Sequence, residues 1–215
     1  MKKGILAFLW ILIIFFSYKI YDSINGPIEF NETKNKRYAD VIRRLKIIRK
    51  AQIAHKDVRG VFSNNFDSLV KFIDEGIFTL VEKRDSSYLE YDRVYRIDML
   101  REIIVIDTLG TVNVKDSLFK ENEEYKRMAF IPVKGVEDSV FKIKSTIIDK
   151  NGYKVPVFEV KVAKNIVLFD QNKDLLKQEN ETISVDGVNG PDLILGSLSN
   201  VSTNGNWPTI FDATN

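Results

Sequence analysis

The stretch YADVIRRLKIIRKAQIAH, residues 38–55, decides the fold that this sequence predicts. Its apolar residues recur at alternating spacings of three and four, which is the period of a helix with one buried face. We therefore predict a long amphipathic helix from an N-cap at Asn31 to Gly60. The stripe should pack first on the chain's own sheet, and whatever remains exposed should contact partners. Its first members are Tyr38, Val41, Leu45 and Ile48.

The opposite face of this predicted helix is basic. Two interpretations stay open, a solvated face or contact with anionic headgroups or an acidic partner helix. The cations are Lys36, Arg37, Arg43, Arg44, Lys46, Arg49 and Lys50.

An uncharged apolar segment precedes the helix, directly after Lys2-Lys3-Gly4. If Lys19 extends its ammonium to the headgroups, the segment up to Ile24 is long enough to cross a bilayer. We predict an uncleaved transmembrane anchor over residues 1–24; a cleaved signal peptide and a buried core helix are the alternatives. The anchor residues are Ile5, Leu6, Phe8, Leu9, Trp10, Ile11, Leu12, Ile13, Ile14, Phe15 and Phe16.

Asn25-Gly26-Pro27 is expected to break the helix after the anchor, because proline lacks an amide hydrogen. Residues 25–60 would then be a linker followed by the amphipathic helix, and residues 61–215 an exported domain. A short basic tail usually stays inside while a long domain is exported. We therefore expect a single-pass inner-membrane protein with a cytoplasmic N-terminus and a periplasmic domain.

The remaining residues predict an α+β fold, with an antiparallel sheet packed on the long helix. A short helix should begin after Asn64 or Asn65 and end at Gly76, and Asn151-Gly152 should close a hairpin. A helix is expected over Asn172 to Asn180. The predicted strands are Thr79–Lys83, Glu102–Thr108, Met128–Val133, Val140–Ile148, Tyr153–Val162 and Leu193–Leu195.

Little in the composition points to catalysis. The chain has 32 basic and 30 acidic residues, one histidine and no cysteine. These numbers give no case for nucleic-acid binding and exclude disulfides and thiolate metal sites. His55 has no evident catalytic partners, so we expect no enzyme, cofactor or small-molecule substrate. An enzyme using Asp67, Asp74 and Glu75, and a calcium site in the loop 186–192, are the less favoured alternatives.

Trp207 lies among turn residues near the C-terminus. It either fills a gap on the sheet or anchors a partner protein, since tryptophan is frequent at interaction hot spots. If the Gly- and Asn-rich final loops bind a ligand instead, the protein would be a ligand- or glycan-binding module anchored to the inner membrane.

The order of segments resembles the type IV pilin and type II secretion pseudopilin group. The resemblance rests on three segments: Lys2-Lys3-Gly4, the helix from Tyr38 to His55, and the turn segment from Lys56 to Phe62 that leads into a short helix. The layout is also similar to membrane-anchored envelope proteins of Bacteroidota. Leu9 occupies the position of the family's usual Glu, which implies a minor or unprocessed member. The resemblance implies a non-catalytic membrane subunit of a secretion or pilus-type machine, bound to other protein subunits.

Overall fold

A single helix, α1, runs from Lys2 to Arg59 and carries the rest of the fold. It has 58 residues and is therefore about 87 Å long at 1.5 Å per residue. Gly60 ends it, as predicted, with a positive φ of 78°.

The computed structural model describes residues 2–212 of the chain. Met1, in the predicted anchor range 1–24, and residues 213–215, in the predicted domain range 61–215, lie outside the described residues.

The predicted break at Asn25-Gly26-Pro27 is wrong, because Pro27 lies inside α1. Asn31 is likewise an interior residue of the helix and not its N-cap. Proline inside a helix removes one backbone hydrogen bond and costs about 3 kcal/mol. Both flanks favour helix strongly enough to outweigh that cost: an apolar segment precedes Pro27, and a buried stripe begins at Phe30, which is 6% exposed.

The second helix, α2, spans Phe66–Glu75 and confirms the predicted caps. Asn65 is the N-cap and accepts a hydrogen bond from the amide of Asp67. Gly76 closes the helix, and a Cβ at that position would lie 2.4 Å from the carbonyl oxygen of Phe72. Only glycine fits there, which makes α2 end where the sequence predicts.

Two long strands follow, β1 (Ile77–Asp92) and β2 (Ile97–Asn113). They pair antiparallel along their whole length, with one irregularity between Leu80 and Val81. We call this hairpin the arm. The predicted strands Thr79–Lys83 and Glu102–Thr108 are sections of it.

The segment after the arm contains one wrong prediction. A short helix, α3 (Val114–Leu118), and a 3-10 turn (Glu124–Arg127) lead into residues 128–133. These residues are no strand, and their one bridge joins Phe130 to Val140. Met128, Ile131 and Val133 are 0%, 1% and 3% exposed. A short apolar run that fills the core through turns cannot be told from a buried strand by its pattern.

A second antiparallel sheet has the order β3-β4-β5. Its strands are β3 (Lys142–Lys150), β4 (Tyr153–Ala163) and β5 (Asp192–Gly196). Asn151 and Gly152 adopt φ values of 55° and 83°, so the predicted hairpin is confirmed.

Two helices lie between β4 and β5, and a 3-10 turn follows the sheet. They are α4 (Lys164–Val167), α5 (Lys173–Glu181) and the turn Thr209–Phe211. Asn172 caps α5 and accepts from the amide of Asp174. The chain is thus α+β, with a long helix first and antiparallel sheets after it.

One hydrophobic core joins the C-terminal half of α1 to α2 and the three-stranded sheet. The rings of Phe62 and Phe158 lie 4.6 Å apart, which links the end of α1 to the centre of β4. Gln52 is fully buried and exchanges two hydrogen bonds with the backbone of Ser63. These contacts fix the domain rigidly on the helix.

A buried ionic cluster fastens α1 to α4 and α5. Lys164 is 0% exposed, and its ammonium donates to Oε1 of Glu179 at 2.9 Å. It also donates to the backbone oxygens of Glu179 and Val188 at 2.8 and 2.7 Å. From α1, Lys34 and Tyr38 donate to the same carboxylate at 3.0 and 3.2 Å.

The cluster keeps Glu179 ionised. Burial alone would raise the pKa of this carboxyl, but the hydrogen bonds from Lys164 and Lys34 outweigh it and lower the pKa. Every proton of the Lys164 ammonium has an acceptor. Burial nevertheless lowers the pKa of Lys164, and the hydrogen bond and charge of Glu179 oppose that shift only in part.

We expect Lys164→Met to lower the free energy of unfolding by about 3–5 kcal/mol, since it breaks a buried ion pair from one side. The matched control is Lys177→Met on the exposed side of α5, which should change it by less than about 0.5 kcal/mol. Urea unfolding of the full chain in detergent micelles, followed by near-UV circular dichroism, measures both. Equal stability of the two variants would contradict the structural role of the cluster.

Candidate functional site

The N-terminal part of α1 presents apolar side chains on all sides. An 18-residue window has a mean hydropathy of 2.0 and no buried residue, so the helix is long and apolar enough to span a membrane. From Gly4 to Ile24 it measures about 32 Å, against a bilayer core of about 30 Å. The predicted anchor residues all lie here. Leu12 is half-buried and the other ten are exposed. The exposed side chains are Ile5, Leu6, Phe8, Leu9, Trp10, Ile11, Ile13, Ile14, Phe15 and Phe16.

The residues predicted to contact partners lie inside the domain. Exposure is 2% for Tyr38 and 0% for Val41, Leu45 and Ile48. They form the core that holds the sheet on α1 and offer no outward surface. The prediction that these residues contact partners is therefore corrected. All four side chains pack inside the chain's own domain.

Trp207 is also internal, at 7% exposure. Its indole Nε1 donates to Asp212 at 3.2 Å, and the guanidinium of Arg49 lies 5.4 Å from its ring. A Cβ added to Gly205 would meet the ring at 2.1 Å. The ring therefore fills a gap between α1 and the C-terminal loops and presents no free face to a sugar or a partner.

Several cations of the basic face hold the domain in place. Arg37 donates to both oxygens of Asp170 at 2.6 and 2.7 Å and to the backbone oxygen of Val167 at 2.9 Å. Arg44 and Lys46 donate to the backbone oxygens of Glu124 and Phe211. Lys36, Arg43 and Lys50 stay exposed. The face is thus partly internal, which neither of its two interpretations anticipated.

Of the residues weighed for chemistry, His55 and Glu75 line one cavity of about 580 Å³ together with Ser68 and Lys71, whereas Asp67 and Asp74 do not line it. Nδ1 of His55 lies 2.6 Å from the backbone oxygen of Val61, where it closes the turn after α1. Asp67, Asp74 and Glu75 are exposed on α2, and Asp74 accepts from the hydroxyl of Tyr125. Within residues 2–212, no three His, Asp or Glu side chains are grouped so as to hold a metal ion.

In the loop 186–192, the side-chain oxygen of Asn189 accepts from the amide of Ser184. This hydrogen bond occupies one of the predicted calcium ligands with the loop's own backbone.

The arm is the feature that sequence reasoning missed. Among residues 2–212, β1 and β2 pair only with each other, so both outer edges of this two-stranded sheet lack a neighbouring strand there. Beyond its base, where β2 meets α3, it has no substantial packing against another element. An isolated two-stranded hairpin is marginally stable in water at best.

Both faces of the arm mix charged and apolar side chains, and cross-strand ion pairs distinguish one of them. Paired residues share a face, and successive residues alternate between faces. One face carries ion pairs across the strands, between Arg101 and Glu90 at 2.8 Å and between Arg84 and Asp107.

We call the other side the aliphatic face. Besides the charged residues Lys83, Asp85, Asp98 and Glu102, it carries several exposed aliphatic side chains. Their exposures are 44% for Val81, 66% for Leu89, 63% for Leu100, 64% for Ile104 and 58% for Ile106.

The arm emerges at the end of the domain that lies farthest from the apolar part of α1. Its base follows Gly76, whose helix packs beside His55: the rings of His55 and Phe72 lie 4.9 Å apart. His55 is about 46 Å along the helix axis from Ile24. The apolar helix end and the base of the arm therefore lie at opposite ends of the domain.

The signal for the arm in the sequence is weak. Asp92 forms the turn by accepting from the amides of Val94 and Tyr95 at 2.7 and 3.1 Å. Arg96 there takes a φ of 55° without being glycine or asparagine. The usual Asn-Gly or Asp-Gly hairpin signal is absent, and a mixed pattern of charged and apolar residues conceals the alternation.

Comparison with protein-family models, with curated proteins and with solved structures finds no match to this chain. The interpretation of its surfaces rests on their own geometry.

The Arg37–Asp170 pair makes stability depend on acidity. The hydrogen bonds from Arg37 lower the pKa of Asp170 from 3.8 to about 2. Because the folded-state pKa is depressed, the pair stabilises the fold above pH 3.8 and stops doing so as the pH falls toward about 2.

We therefore expect Asp170→Asn to be less stable than the wild-type chain at neutral pH and equally stable near pH 2. Thermal unfolding across this pH range measures the difference. Arg37→Gln removes the same pair, so the double variant should lose less than the sum of the two single losses. A difference between wild type and Asp170→Asn that does not change with pH would contradict the assignment.

Proposed function

We propose that this chain is a non-catalytic, single-span membrane subunit of a cell-envelope assembly. In this proposal the apolar part of α1 crosses the inner membrane, the N-terminus is cytoplasmic and the domain is periplasmic. The arm then binds another subunit. The observation that carries the proposal is the uncovered aliphatic face on a chain that also has a fully exposed apolar helix end.

The proposal favours a pseudopilin-like component of a secretion or pilus-type machine. Its support is the resemblance of segment order together with the continuity of α1, which joins an apolar N-terminal half to a half that packs on a sheet. Leu9 stands where the pilin group has Glu, so the proposed role is that of a minor or unprocessed subunit.

The occupant that we propose for the arm is a second copy of this chain. Each strand pairs over about 16 residues, so one face of two strands measures about 50 Å by 10 Å. Two such faces stacked on each other bury about 1,000 Å² in total, which is the lower bound for a specific interface. A two-fold axis would bring the same face of each copy together.

A two-fold axis at Ser87 sets the register of the two copies, and it brings Glu102, which pairs with Ser87, to the level of Glu102 of the partner subunit. Ser87 lies midway between Lys83 and Tyr91 on β1, and Tyr91 pairs with Asp98. An axis at Ser87 therefore brings Lys83 to the level of Asp98 of the partner subunit. The same operation places Ile104, which pairs with Asp85, at the level of the pair Leu89 and Leu100.

The experiment measures the oligomeric state of the full chain, by mass photometry in mild detergent and by single-molecule photobleaching in vesicles. We expect a dimer that Ile104→Asp weakens at least tenfold, because burying an aliphatic side chain is worth about 1.5–3 kcal/mol. The matched control Tyr153→Asp adds the same charge at an exposed site on the β3–β4 turn. Both variants should unfold at the wild-type temperature.

A monomeric wild-type chain under all these conditions contradicts the second-copy proposal. Stoichiometric recovery of a different protein, lost in Ile104→Asp, would replace the second copy as occupant and retain the assembly role. Release of the chain from membranes by alkaline carbonate would overturn the anchor and with it the proposed function. Protease digestion of intact and lysed spheroplasts tests the orientation, since only an exported domain is cleaved in intact ones.

A further inference from the structure

A short loop between α5 and β5 presents two almost completely exposed aliphatic side chains. Ile183 and Val185 are each 92% exposed. The loop that carries them is not loose, since the amide of Ser184 donates to Asn189 at 2.8 Å and the side chain of Val188 is 1% exposed. The backbone oxygen of Val188 accepts from the buried Lys164. The chain thus holds two apolar side chains outward on a fixed base.

The position of this loop along α1 is defined by a cleft. Thr182, the residue before Ile183, lines a small cavity of about 190 Å³ together with Gln178, Pro27, Phe30 and other residues of α1 and α5. The loop therefore begins near the level of Pro27 and Phe30 on α1. Pro27 is about 4.5 Å along the axis from Ile24, where the predicted bilayer core ends.

The thickness of the bilayer's layers tells in which layer this position on α1 lies. Headgroups extend a bilayer from about 30 Å to about 40–45 Å, so each headgroup layer is about 5–8 Å deep. If the hydrocarbon ends near Ile24, Pro27 and the adjoining loop lie inside the headgroup layer. Ile28, on the same turn of α1, is 50% exposed and lies at that depth as well.

We propose that the loop 182–190 inserts Ile183 and Val185 into the membrane interface beside the anchor. The inference rests on the proposed anchor and adds a second contact with the bilayer. One span alone leaves a domain free to rotate and tilt. A second apolar contact at the same level fixes the domain on the surface and directs the arm away from the membrane.

The chemistry of the loop specifies the lipid. Its residues include Asp186 and no Lys or Arg, so attraction to anionic headgroups does not drive the insertion. Two β-branched aliphatic side chains enter the boundary between headgroups and acyl chains through the hydrophobic effect. Uncharged phosphatidylcholine should therefore be sufficient.

The chain has no cysteine, so single labelling sites can be introduced cleanly. The experiment uses the full chain reconstituted in phosphatidylcholine nanodiscs, with an environment-sensitive fluorophore on Val185→Cys, Ile14→Cys or Tyr153→Cys. Ile14 reports the anchor. Tyr153 is 75% exposed and lies on the domain surface, where its hairpin contributes Ile147 and Pro156 to the groove around His55, far from Ile24.

We expect the Val185 label to be blue-shifted, quenched by shallow nitroxide-labelled lipid and several-fold less accessible to iodide than the Tyr153 label. A protected Ile14 label with a Val185 label as accessible as Tyr153 would overturn the loop insertion and leave the anchor intact. Accessibility of Ile14 to iodide would overturn the anchor itself. Protection of Val185 without quenching by lipid would mean that protein covers the loop, and this too contradicts the inference.

Discussion

The continuity of α1 is the constraint on which the rest of this structure depends. One helix carries an exposed apolar half, from Ile5 to Ile24, and a half whose inner stripe is the centre of the domain core. Because Pro27 does not interrupt it, no flexible linker separates the two halves. Any force or orientation imposed on the apolar half reaches the sheet through packed side chains and through the buried Lys164–Glu179 cluster.

The two ends of the domain differ in how completely their surfaces are packed. Near Pro27, α1 and α5 border a small cavity lined by polar and apolar side chains, and the buried Lys164–Glu179 cluster holds these helices together. At the far end the arm begins after Gly76, its two edges are unpaired within the described residues, and one face carries exposed aliphatic side chains between charged ones. Exposed edges and apolar faces are liabilities that folded proteins usually cover. Their presence here is the feature that supports the proposed role as a subunit of an assembly.

The sequence predicts correctly those parts of the fold that depend on neighbouring residues alone, such as helix caps and tight turns. Asn65 and Gly76 bound α2 because capping geometry admits few other residues, and Asn151-Gly152 turns a hairpin for the same reason. Pro27 misled the prediction, because the cost of a proline in a helix is small beside the tertiary packing of the flanking residues. Residues 128–133 misled it too, since an apolar run has the same composition whether it fills the core as a strand or as a turn.

The candidate surfaces were less predictable than the fold. The stripe from Tyr38 to Ile48 and the ring of Trp207 have the composition of interaction sites, but composition does not distinguish a partner from the chain's own core. Leu100 and Ile104 read as ordinary strand residues, and Ile183 and Val185 as loop residues. Their exposure depends on which elements pack nearby, and no local pattern carries that information.

A distance measurement across Pro27 tests the central claim most directly. Spin labels on Phe16→Cys and Lys50→Cys, in the full chain reconstituted in bilayer nanodiscs, lie on either side of it. A continuous helix predicts one narrow distribution of label-to-label distances, centred on the backbone separation of about 51 Å. A broad distribution, or one centred well below that value, would show that the domain is hinged to its anchor and would contradict the account.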